Sequence, residues 1–131
     1  MTSAVPVIRQ DGEGEQLWFA GGGLFTMKAS SAETGGAFAL FVDREVLGKP
    51  TPLHLHPDDD EVLYVLEGEI RVLLRDPKED VHLTPGQTYA VRPGRAHLVT
   101  NPGPRSATFL VLQGIGEYDY VPLTGDAARA G

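Results

Sequence analysis

Short apolar runs separated by glycine and proline constrain this chain more than any other feature. The separators fall at Gly21-Gly22-Gly23, Gly35-Gly36, Pro57-Asp58-Asp59, Glu67-Gly68, Asp76-Pro77, Pro85-Gly86, Pro93-Gly94 and Pro102-Gly103-Pro104. Sixteen glycines and ten prolines make up about a fifth of the 131 residues, against an average near 12%. They follow no collagen-like period, so they act as turns. Helices stable enough to form a bundle need longer uninterrupted runs, and proline breaks them. The pattern therefore predicts an all-β domain. Strands are expected near Leu17–Phe19, Leu24–Lys28, Ala37–Val42, Leu53–His56, Glu61–Leu66, Ile70–Leu74, Val81–Leu83, Thr88–Val91, Ala96–Thr100 and Ala107–Gln113. About ten short strands argue for a sandwich or a barrel closed on itself.

The length suits one domain with one core. Residues 1–15 read as an extended lead-in, 16–124 as the β-barrel and 125–131 as a flexible tail. The run Val62-Leu63-Tyr64-Val65-Leu66 is apolar on both faces. Such a strand needs cover on both sides, from a second sheet or another subunit, so a homodimer is expected, with an N-terminal strand folded over that face as the alternative. The formal net charge of −7 repels phosphate backbones and argues against a nucleic-acid partner. The chain has no cysteine, which excludes disulfides, thiolate ligands and cysteine nucleophiles. It has neither the basic-then-apolar layout of a signal peptide nor a run near the ~20 residues of a membrane span. No membrane association and a cytoplasmic location are the expectations.

Chemistry concentrates between Gly48 and Asn101. His54 and His56 stand two apart, so on a strand they project from one face with Cα atoms ~6.6 Å apart, close enough to share a metal ion. After the turn at Pro57, Glu61 opens the next strand and can add a carboxylate. Two histidines and one carboxylate with open positions are a set used for Fe(II) oxygen chemistry. His97 follows the Pro93-Gly94 turn on a strand whose His97, Val99 and Asn101 share a face. Spacing leaves open whether His97 meets the other three.

These residues resemble the cupin family. Gly48, His54, His56, Glu61 and Gly68 match its first motif, G-x5-H-x-H-x(3–4)-E-x6-G, at every fixed place. Gly86, Gly94, His97 and Asn101, the sole asparagine of the chain, match the second, G-x5-P-x-G-x2-H-x3-N. Arg92 stands where that motif has proline, and Pro93 follows one place later. The resemblance implies a double-stranded β-helix, or jelly-roll barrel, holding one divalent metal ion (Fe, Mn, Ni, Co or Zn) on His54, His56, Glu61 and His97. The stretches Glu33–Phe38 and Pro52–His56 are also similar to small bacterial cupins related to quercetin 2,3-dioxygenase.

The remaining candidates have plainer readings. Asp60 rivals Glu61 as the carboxylate ligand, while Asp58, Asp59 and the spare residue read as a solvated acidic turn. His82 reads as a surface histidine. Tyr64 should point away from the barrel interior, toward a packing or dimer contact. Leu63 and Val65 should face inward with Glu61, and Val99 with His97, as an apolar substrate pocket. Trp18, Phe19, Phe25, Phe38, Phe41 and Phe109 are core or pocket walls. The leading functional expectation is a metal-dependent dioxygenase of a small aromatic or enol-containing, flavonol-like molecule, with Glu61 as proton acceptor. The alternatives are a non-redox cyclase or isomerase of polyketide or sugar-like substrates and a non-catalytic binding module.

Overall fold

The computed structural model describes residues 6–18, 23–45, 51, 53–114 and 121–122. Among them the regular structure is entirely β. The strands are β1 (Gln16–Trp18), β2 (Leu24–Ala29), β3 (Phe38–Glu45), β4 (His54–Leu55), β5 (Glu61–Glu67), β6 (Ile70–Leu74), β7 (Glu79–Leu83), β8 (Thr88–Val91), β9 (His97–Thr100), β10 (Ala107–Gly114) and β11 (Val121–Pro122). All pairings are antiparallel. One sheet runs β1-β2-β3-β10-β5-β8 and the other β11-β4-β9-β6-β7. From β3 onward the chain repeatedly crosses between the sheets, which is how a jelly roll covers two inner faces with one core.

Alternation decides what enters that core. On β5 the inward residues are Glu61, Leu63 and Val65, and on β10 they are Ala107, Phe109, Val111 and Gln113. The apolar ones among them join Phe41 of the same sheet and Ile70, Val72, Leu74 and Val99 of the other in one buried cluster. Burying a side chain of this size contributes roughly 1.5–3 kcal/mol. Phe41 and Phe109 belong to the core, and Phe25 packs against it. Trp18 and Phe38, expected as core or pocket walls, are exposed instead. Phe19 lies outside the described residues, as do Gly48 and the 125–131 tail.

Two glycines shape the corners that matter here. Gly68, between β5 and β6, has φ +74, and a Cβ there would lie 2.8 Å from the Ser106 carbonyl oxygen and 2.9 Å from Ala107 Cα. A side chain would collide with backbone as well as strain the turn. Gly94, at φ +77, donates its backbone N–H to the His56 carbonyl at 2.8 Å. That bond ties the turn before His97 to the segment carrying the first two histidines. Arg92 adds an exposed contact from Nε to Asp60 Oδ1 at 3.0 Å, so the departure from the second motif leaves the turn in place.

Candidate metal centre

The two sheets and a corner each bring part of the site. His54 on β4 lies directly across from His97 on β9, which puts their side chains on one face. Their rings are 4.3 Å apart between centroids. His56 sits one residue past the end of β4, where Pro57 denies the chain a further N–H donor. Its ring lies 5.1 Å from that of His54 and 5.7 Å from that of His97. Glu61 arrives from the opposite sheet, at the start of β5.

All four side chains are buried, and one ligand atom from each lies within 4.8 Å of the others. Bonds of ~2.0–2.2 Å to a common cation require donors this close. The hydrogen bonding also suits a cation. His97 Nδ1 lies 2.8 Å from the Arg95 carbonyl, which only accepts, so Nδ1 carries the proton and Nε2 presents a lone pair. That Nε2 faces Glu61 Oε1 at 3.3 Å, and His56 Nε2 lies 3.0 Å from Glu61 Oε2. A lone pair facing a carboxylate oxygen needs a proton or a cation between them. Burial alone would raise the Glu61 pKa. A proton on the facing Nε2 atoms of His56 and His97, or a cation in its place, outweighs it and holds the carboxyl below its ordinary range. Three imidazoles around an ionised carboxylate therefore fit one divalent metal ion.

The rival residues separate clearly. Asp60 is exposed and turned toward Arg92. His82 is on the surface, with Nε2 3.6 Å from Asp80 Oδ1, and Tyr64 faces outward at 40% exposure. Asp58 is exposed, but Asp59 is only 1% exposed, which corrects its reading as part of a solvated turn. It is buried because the amide of Gln113 donates to its Oδ2 at 2.8 Å. Gln113 itself was missed. Its one sequence signal is a lone polar residue ending the inward row Ala107, Phe109, Val111, Gln113. Leu63, Val65 and Val99 face inward as alternation predicts, and all three are closed into the hydrophobic core.

Two facing antiparallel sheets with three histidines and a glutamate at one end define a double-stranded β-helix protein with a metal-binding group. Residues 45–120 match the cupin domain model, and the chain belongs to the cupin family. No curated protein matches it. Among solved structures it is similar to a conserved double-stranded β-helix protein from Klebsiella pneumoniae, at 18% identity and TM-score 0.67, covering 91% of each chain. It is also similar to the polyketide cyclase RemF from Streptomyces resistomycificus, at 16% identity and TM-score 0.75, covering 95% of this chain and 89% of that one. A third likeness is to the oxalate decarboxylase of Lactobacillus farciminis, at 18% identity and TM-score 0.74, where 83% of this chain matches 33% of the other. At these identities the likeness is one of fold. No helix among the described residues is long and apolar enough to cross a membrane.

Proposed function

We propose that this cupin is a metal-dependent dioxygenase acting on a small aromatic or enol-bearing, flavonol-like molecule. The carrying observation is the buried Glu61 carboxylate held between the Nε2 atoms of His56 and His97. His54, His56, Glu61 and His97 would hold the divalent ion. When bound, it supplies Lewis-acid polarisation of a substrate oxygen and a centre for O₂ chemistry. Glu61, the one carboxylate of the group, is the proton acceptor we assign for the substrate hydroxyl. Leu63 and Val99 lie one inward residue from Glu61 and His97, with Val65 a row deeper. Closed into the core, they back the site with an apolar layer that keeps water from its inner side.

The similarity to RemF, over nearly the whole of both chains, favours a second reading, non-redox cyclisation by the same residues. Oxygen uptake separates the two. Metal-replete protein given a panel of flavonols, catechols and enediols should consume O₂ as substrate disappears. Substrate loss without uptake would replace the dioxygenase with the cyclase, and loss of neither would leave a binding module.

A second copy of this chain is the partner we propose for the outer face of the first sheet. Leu40 and Val42 on β3, Leu110 and Leu112 on β10, and Val62 and Tyr64 on β5 form adjoining rows there. No charge interrupts them. Three strands ~4.8 Å apart and two rows ~7 Å apart make a patch of roughly 15 Å by 12 Å, the centre of an interface that must extend past these rows to reach a specific size. Light scattering should give a dimer mass for the native chain and a monomer mass for Leu110→Lys. A native monomer would remove the interface.

A further inference from the structure

Gln113 and Asp59 stand beside the metal-binding group without belonging to it. Both are buried, at 1% exposure each. The Gln113 amide nitrogen donates to Asp59 Oδ2 at 2.8 Å and lies 3.2 Å from His56 Nδ1. On the same strand end, the Gly114 N–H donates to the Asp60 carbonyl at 2.9 Å. The end of β10 thus grips the 57–60 turn twice, once through backbone and once through Gln113. His56 needs such help more than its companions. His54 is set by its strand and His97 by its strand and the Arg95 carbonyl, while His56 lies beyond the end of β4.

We infer that Asp59 and Gln113 are positioning residues: a carboxylate–amide relay that fixes the imidazole of His56 with Nε2 aimed at the metal site. An amide suits this place because it serves either tautomer. In the arrangement seen, its N–H donates to a bare Nδ1. In the form that leaves Nε2 free for a cation, Nδ1 carries the proton and the amide turns over to accept it on its oxygen. That exchanges its bond to Asp59 for one to His56. Asp59 anchors the amide in the first form, and the surrounding burial keeps water from replacing it in either. Groups holding a ligand's far nitrogen commonly change metal affinity 10–100-fold when removed.

This inference rests on the metal-centre reading, and its test keeps the two apart. Co²⁺ is titrated into the full chain while its visible absorption bands are recorded, with His97→Ala as the reference for a lost ligand. Native protein that binds no Co²⁺ would overturn the metal centre itself. With native binding established, Gln113→Leu should bind 10–100-fold more weakly and with altered bands, while its metal-free melting temperature stays near native. Unchanged affinity and bands would overturn the relay alone. If Gln113→Leu does not fold, the exchange variant Asp59→Asn/Gln113→Glu carries the test. It swaps amide and carboxylate, keeps one hydrogen bond between them and gives His56 Nδ1–H an acceptor. Affinity within about threefold of native supports the relay, and a tenfold loss overturns it.

Discussion

The two ends of the barrel interior are built from the same strands and do opposite things. Along β5 the inward residues run from Glu61 through Leu63 to Val65, and along β10 from Gln113 through Val111 to Phe109. Cross-strand register keeps like with like. Gln113 lies opposite Glu61, Val111 opposite Leu63, and Phe109 opposite Val65. In the other sheet Val72 pairs with Val99 inside the core, and one rung on, the boundary falls within a pair, Leu74 with His97. One end is thus a dry apolar core, and about two residues further along the same strands converge on a charged site. The core can hold the strands while the polar end binds a ligand, because the energies of the two ends arise from different atoms.

The largest expected effect is at the apolar end. Phe109 is 1% exposed, and Phe109→Ala should cost about 3–5 kcal/mol through lost burial and the cavity left behind. Urea denaturation measures this, and a loss under about 1 kcal/mol would blur the division between the ends. At the polar end the order reverses. His97→Ala should empty the site by elemental analysis, while His82→Ala keeps the native metal content. Chelation should lower the native melting temperature, because an ion bound only by the folded state adds about 2.7 kcal/mol at a hundredfold excess over Kd. The same chelator should leave His97→Ala unmoved. A drop in that variant as large as in native protein would show a different source of the effect.

The smallest effect sits on the rim of the polar end, where Arg9 donates twice to Glu33 in the β2–β3 turn. The Arg9 hydrogen bonds, helped by Ser30, lower the Glu33 pKa from 4.5 to about 2. A carboxylate whose folded pKa is depressed stabilises the fold above its unfolded value and stops doing so as pH falls through the folded one. The melting-temperature gap between native protein and Arg9→Gln should therefore be small above about pH 5 and close between about pH 4.5 and 2. A gap that persists at about pH 2 would detach the stabilisation from this carboxylate.

Much of this was legible in the residues, for identifiable reasons. His54, His56, Glu61 and His97 could be picked out because a metal site needs rare residue types at fixed spacing. Strand parity correctly turned Leu63, Val65 and Val99 inward and Tyr64 outward. Strand ends were less legible. β7 begins at Glu79, ahead of the expected Val81, because Glu79 and Asp80 face solvent and pair with Arg95 and Arg71. β3 continues through Asp43 to Glu45, held by its pairing with Ala107–Phe109 of β10. β11 is two residues long and offers no alternation to detect. Asp59 could not be told from its neighbours in an acidic run. Its burial is decided by Gln113, 54 positions away, a tertiary contact that spacing does not reveal.

The shortness of β4 has a mechanical consequence. With two residues, it meets β9 at a single register pair, His54 with His97, and its other partner is the equally short β11. Little of the hydrogen-bond ladder holds this strand, so its local opening costs less than opening the core strands. A cation bridging His54 and His97 would act as a cross-link at the one point where the ladder is thinnest. Amide hydrogen exchange in β4 and β9 would then report occupancy of the site, slowing when it fills, while exchange in β5 and β10 would follow the stability of the whole barrel.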